Sequence, residues 1–167
     1  MINSSFFLSE AKNGLKNISY EQGGRVKTLH NRFDPLKEAQ VWASKQEIHG
    51  KYLLLYGAGM GYPVQAIHEL YPEKVIIVVE PNKELCDLIQ TDLEALGAYL
   101  LQGPEYQQLP TLIAKFHALH GTMQCMYFAP INRQLPVDLE WLKIIFHCFQ
   151  LDLEQLPKLL LWADRAY

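Results

Sequence analysis

Three glycines at alternate positions, Gly57, Gly59 and Gly61, and one carboxylate further along, Glu80, have the types and spacing for ligand recognition. Glycines let a backbone turn tightly and let a ligand approach it closely. A helix that starts after such a turn offers unpaired N–H groups. A carboxylate accepts hydrogen bonds from two ribose hydroxyls at once. Met60 and Tyr62 belong to the same turn, and Asn82 and Gln102 stand at the ends of neighbouring strand-like runs. The eight residues Gly57, Gly59, Met60, Gly61, Tyr62, Glu80, Asn82 and Gln102 are therefore the candidate binding set for a nucleotide-containing small molecule. The plain alternative is a tight strand-to-helix turn that holds no ligand.

The surrounding chain predicts how they are positioned. Lys51 to Tyr56 is a short apolar run of strand type, and Pro63 sits where a helix can begin. Val64, Ile67, His68, Leu70 and Tyr71 recur at helical spacing until Pro72 ends the helix. Val75 to Val79 is β-branched throughout, as in a strand buried on both faces. Strand, glycine turn, helix and strand closing in an acid form a βαβ unit of the nucleotide-binding kind.

Other stretches carry less chemistry. His30 and Arg32 precede Asp34-Pro35, which predicts a capped helix carrying Leu36, Ala39, Val41, Trp42 and Ala43 inward. Asp34 is then a cap in an exposed loop, or else His30 and Arg32 rim the ligand crevice. Asn82 can cap a helix over Lys83 to Gln90, with a second short helix from Asp92 to Leu96 ending at Gly97. Strands follow at Ala98 to Leu101 and Met123 to Phe128, where Tyr127 or Phe128 either faces a base or fills core. Helices are expected over 105–119, 138–151 and 156–167. His117 and His120 lie three apart without a third ligand nearby, so no metal site is expected. No paired carboxylates and no nucleophile elbow stand out, so no catalytic residue is assigned.

Composition bounds the rest. The chain has 167 residues, 49% of them hydrophobic and 20% charged, enough for one globular core. A net charge of −3 gives no broad pull toward nucleic acid or anionic membrane. Cys86, Cys125 and Cys148 lack ligand spacing and read as reduced thiols of a cytoplasmic protein. No run is long enough to span a bilayer, and Phe6-Phe7-Leu8 lacks the basic flank of a signal peptide.

The expected architecture is α/β and Rossmann-like, a mostly parallel sheet with helices on both faces. Right-handed crossovers put the Leu53 strand in the centre, with its glycine turn at the topological switch. Residues 1–33 form a frayed or weakly docked leader to Asn13 and a small β-hairpin. That hairpin has an edge strand at Asn17 to Glu21, a turn at Gly23-Gly24, and Val26 and Leu29 inward. Residues 34–155 form the main domain. Residues 156–167 form an apolar-rich helix that leads to a further domain or a second subunit, or packs on the sheet.

Two resemblances rest on these residues. GAGMG and VEPNKEL resemble the glycine loop and ribose-acid segment of class I S-adenosylmethionine-dependent methyltransferases. That resemblance implies Gly57, Gly59 and Gly61 along the methionine part and Glu80 on the ribose. Leu55 stands where those enzymes usually carry an acid, and FAPIN replaces their amino-group signatures. More closely, TLHNRFDPLKEAQVWA followed by LLLYGAGMGYPVQAIHELYPEKVIIVVEPNKEL resembles the N-terminal region of the motility-associated factor family of bacterial glycosyltransferases. This similarity covers about Thr28 to Leu101. It implies a cytoplasmic binding or assembly domain in flagellin glycosylation, with transferase chemistry in a following domain. The chain ends before that domain would begin, which implies a fragment or a free-standing relative. The ligands so implied are S-adenosylmethionine or a nucleotide-sugar. A small methyltransferase and a ligand-free interaction module are the alternatives.

Overall fold

The computed structural model of the protein describes residues 6–80, 82–102 and 123–128. The chain opens with β1 (Phe6–Glu10), β2 (Lys16–Gln22) and β3 (Arg25–Thr28), an antiparallel sheet in the order β1-β2-β3. Phe6–Glu10 is thus a paired strand, Phe6 opposite Tyr20 and Glu10 opposite Lys16, and not a frayed leader. That pairing makes β2 the central strand and not the edge one. Gly23 and Gly24 form the expected turn, both left-handed at φ 61° and 71°. Ile18, Tyr20 and Leu29 enter the core. Val26 does not, being 60% exposed. It lies opposite Glu21, while Lys27 lies opposite Tyr20, so the register puts Val26 on the outer face. A one-residue slip in reading an alternating strand inverts every side chain.

The helix α1 (Pro35–Ala43) starts as its sequence predicts, with the Asp34 carboxylate accepting from the Lys37 N–H at 3.0 Å. Ala39 and Ala43 are buried, so α1 approaches α2 (Tyr62–Leu70) closely. Val41, expected inward, is exposed, and the Trp42 ring meets the Phe128 ring edge-on at 5.2 Å.

The second sheet comprises β4 (Tyr52–Tyr56), β5 (Val75–Glu80), β6 (Tyr99–Gln102) and β7 (Met123–Tyr127), in the order β6-β5-β4-β7 and parallel throughout. The first of these strands in the chain is therefore central, and the order reverses beside it. That is the Rossmann-like arrangement. Leu53, Leu55, Val78 and Val79 are fully buried, which accounts for the unbroken apolar runs. Right-handed crossovers place α2 and α3 (Lys83–Ala95) on one face. Ile18, Tyr20 and Leu29 join Leu53, Leu55 and Val78 in one core, and the N-terminal sheet meets α3 through β1 and Lys16.

The helix α3 runs unbroken through the region expected to divide after Gln90. Leu85, Ile89 and Leu93 continue one buried stripe, and no proline or glycine interrupts it. Gly97 closes the helix at φ 70°, as expected. The helices expected over 105–119, 138–151 and 156–167, with His117 and His120, lie outside the described residues.

Candidate functional site

The turn after β4 is built on left-handed glycines, Gly57 at φ 69°, Gly59 at 51° and Gly61 at 83°. The Gly57 N–H donates to the Val79 carbonyl at 2.9 Å, which fastens the turn to the neighbouring strand one residue before Glu80. The Gly61 N–H donates to the Ala58 carbonyl at 2.9 Å. Gly61 is then the N-cap of α2, with no side-chain cap. A β-carbon there would stand 3.2 Å from Leu93 Cδ2 on α3. Replacement by alanine therefore meets left-handed strain and a tight packing contact together. Gly61→Ala is expected to lower stability by about 1–3 kcal/mol, read as the midpoint shift in urea denaturation.

Met60 is held from below. Its N–H donates to Nε2 of His30 at 2.8 Å, so the ring proton of His30 resides on Nδ1. His30 is only 1% exposed, and burial drives its pKa down to about 3. The imidazole is neutral. The Tyr62 ring lies edge-on at 5.1 Å and the Phe128 ring at 6.0 Å, while Nδ1 has no hydrogen-bond partner among the described residues. Asn17, fully buried on β2, fixes this segment. Its Oδ1 accepts from the Ile18 and His30 N–H groups, and its Nδ2 donates to the His30 and Asn31 carbonyls. The Tyr62 hydroxyl donates to the Lys16 carbonyl at 2.6 Å and adds a second tie to the N-terminal sheet.

The pair His30 and Arg32 is thus split. His30 lies neither in an exposed loop nor at a crevice rim, because it is core. Arg32 is exposed, with its guanidinium 4.8 Å from the centre of the Phe33 ring. Phe128 is also core, packed on Trp42 and His30. The Tyr127 side chain lies outside the described residues.

Glu80 ends β5 at 3% exposure. Its Oε1 accepts from the Asn82 N–H at 3.0 Å, and no other donor reaches the carboxyl among the described residues. Burial, partly offset by that bond, pushes its pKa up to about 7. Asn82 uses its own side chain to cap α3, accepting from the Leu85 N–H at 3.2 Å. Gln102 pairs with Glu80 across β5 and β6. The predicted residues therefore converge on the carboxyl end of the sheet: five in and just after the turn, Glu80 at the end of β5, Asn82 beyond it, and Gln102 at the end of β6.

Other reactive groups there are quiet. Cys86 Sγ donates to the Glu80 carbonyl at 3.2 Å, and burial, with the Glu80 and Asp87 charges, pushes the thiol up to about 12. It stays protonated and is a poor nucleophile. Among the described residues no group of three His, Cys, Asp or Glu could hold a metal ion. No described helix is long and apolar enough to cross a membrane. The described residues supply no nucleophile with an adjacent base.

Fold and site together define a Rossmann-like α/β domain. No protein-family model and no curated protein matches the sequence. Among solved structures the chain is similar to a protein-L-isoaspartate O-methyltransferase, with a TM-score of 0.34 and 20% identity. The match covers 52% of this chain and 28% of that one.

Proposed function

We propose that the protein binds a ribose-containing ligand at the carboxyl end of its parallel sheet, the glycine turn beside the ligand and Glu80 on the ribose hydroxyls. The observation that supports this most is the Gly57 to Val79 hydrogen bond, which sets the turn next to the strand that ends in Glu80. Ligands of open α/β sheets sit at that edge, beside the switch in strand order.

The role is that of a binding or assembly domain, in keeping with the resemblance to the N-terminal region of motility-associated glycosyltransferases. The two segments carrying the resemblance meet directly, His30 of the first accepting from Met60 of the second. A following catalytic domain or a second subunit would supply the transfer chemistry. A ligand-free interaction module is the second reading, favoured by the burial of the whole turn and of Glu80.

Thermal denaturation with S-adenosylmethionine, S-adenosylhomocysteine and CMP-sugars tests the proposal. A ligand at 100 times its dissociation constant adds about 2.7 kcal/mol of stability, a shift of several degrees. The expected result is such a shift with at least one of them, abolished by Glu80→Ala. No shift with any of them supports the ligand-free module instead.

A further inference from the structure

We propose that β1 is an interface strand, pairing antiparallel about a twofold axis with β1 of a second copy of this chain, Leu8 opposite Leu8. Opposite residues of an antiparallel pair alternate between exchanging both backbone hydrogen bonds and turning those groups away from each other. The Ala11 N–H donates to the Leu15 carbonyl at 2.8 Å, one step beyond the Glu10–Lys16 pair. Phe7 and Ser9 therefore face β2, while Phe6, Leu8 and Glu10 turn their N–H and C=O groups outward. The Ile18 carbonyl agrees, since it accepts from the Leu29 N–H at 2.7 Å and so points away from Leu8. The outward groups of Phe6, Leu8 and Glu10 have no partner among the described residues. The helix α3 also meets β1 but makes no backbone hydrogen bond to it. A row of this kind is a template for another strand.

The side chains favour an identical strand as that partner. Leu8 lies opposite Ile18, on the face that carries Ile18 and Tyr20 into the core, yet it is 55% exposed. Phe7, on the other face, is 43% exposed. With two copies centred on Leu8, each outward N–H meets an outward C=O, and the two Leu8 side chains continue the apolar face across the axis. Phe6 falls opposite Glu10 and Phe7 opposite Ser9, so no like charges meet. The edge formed by β3 is different. Arg25 and Lys27 are both exposed there, and self-pairing centred on Val26 or on Lys27 sets cation against cation. Exposed cations of that kind blunt an edge against pairing, and β1 carries none.

Sedimentation of the full chain over a range of concentrations tests this. The expected result is a dimer whose dissociation constant rises at least about tenfold in Leu8→Lys, which sets two cations face to face at the axis. Val26→Lys, on the far edge and comparably exposed, should leave the dimer unchanged. In Leu8→Cys, oxidation by dissolved oxygen should join two chains at position 8, because paired Cα atoms there would lie about 5.5 Å apart, within disulfide reach. Peptide mapping reads that link, and it decides the matter if Leu8→Lys does not fold. A monomer at every concentration overturns the inference and leaves the β1 edge to a strand of another protein. A dimer that Leu8→Lys leaves intact, or one that does not link through position 8 in Leu8→Cys, overturns it as well.

Discussion

Replacing Glu80 by glutamine is expected to stabilise the protein by about 3 kcal/mol above neutral pH, although the residue sits where a ligand would bind. The carboxyl is buried, receives one backbone N–H and has no cation beside it among the described residues. Its folded-state pKa is about 7, against 4.5 for an ordinary glutamate. The folded protein therefore keeps a proton that the unfolded chain releases. The contribution of this group is fully favourable below 4.5 and is lost as pH rises through about 7. Glutamine carries no charge and can still accept from Asn82. In urea denaturation the variant should match wild type near pH 4.5 and exceed it at about pH 8. A variant that is less stable than wild type at about pH 8 would mean that a cation compensates the carboxylate, and the neutral-acid account of Glu80 would fail.

His30→Ala is expected to do the opposite, costing about 3–5 kcal/mol near neutral pH. The substitution leaves a cavity between Tyr62 and Phe128 and strips the Met60 amide of its acceptor. The acid side carries a second signature. His30 has its pKa lowered to about 3 from 6.5, so the unfolded chain takes up a proton that the folded one refuses. Its contribution is present above 6.5 and is lost as pH falls toward 3. Fully developed, that loss is about 4–5 kcal/mol. The deficit of His30→Ala relative to wild type should therefore shrink in acid. Between 4.5 and 6.5 the slopes from His30 and Glu80 oppose each other, so wild-type stability should be nearly level there. Guanidinium melts of the two variants across pH separate the terms. A deficit for His30→Ala that stays constant down to pH 3 would contradict the buried, neutral imidazole.

Sequence and structure agree where the signal is local. The β-branched run ending in Glu80, the alternate glycines and the Asp34-Pro35 cap each determine their own geometry, and each folds as read. The central position of the Leu53 strand, expected from a doubly wound sheet with right-handed crossovers, is observed. What local reading missed was long-range or set by register. Phe6–Glu10 looks like a loose end until β2 is placed beside it. Val26 faces outward because of how β3 pairs, which its own alternation does not reveal. His30 was visible as a residue able to do chemistry, but its partner Met60 is remote in the chain and nothing local links the two. Asn17, whose four hydrogen bonds position His30, has no sequence signature beyond being a polar residue in a strand.

The most direct test of the central claim is an amide NMR titration of the full chain with S-adenosylhomocysteine. Shared occupancy of the sheet edge predicts that the resonances that move most belong to the Gly57–Tyr62 turn and to Glu80 and Asn82, with the Glu80 carboxyl losing its proton as the ligand enters. Spectra in which those signals stay fixed while others move, or in which nothing moves at saturating ligand, would contradict it.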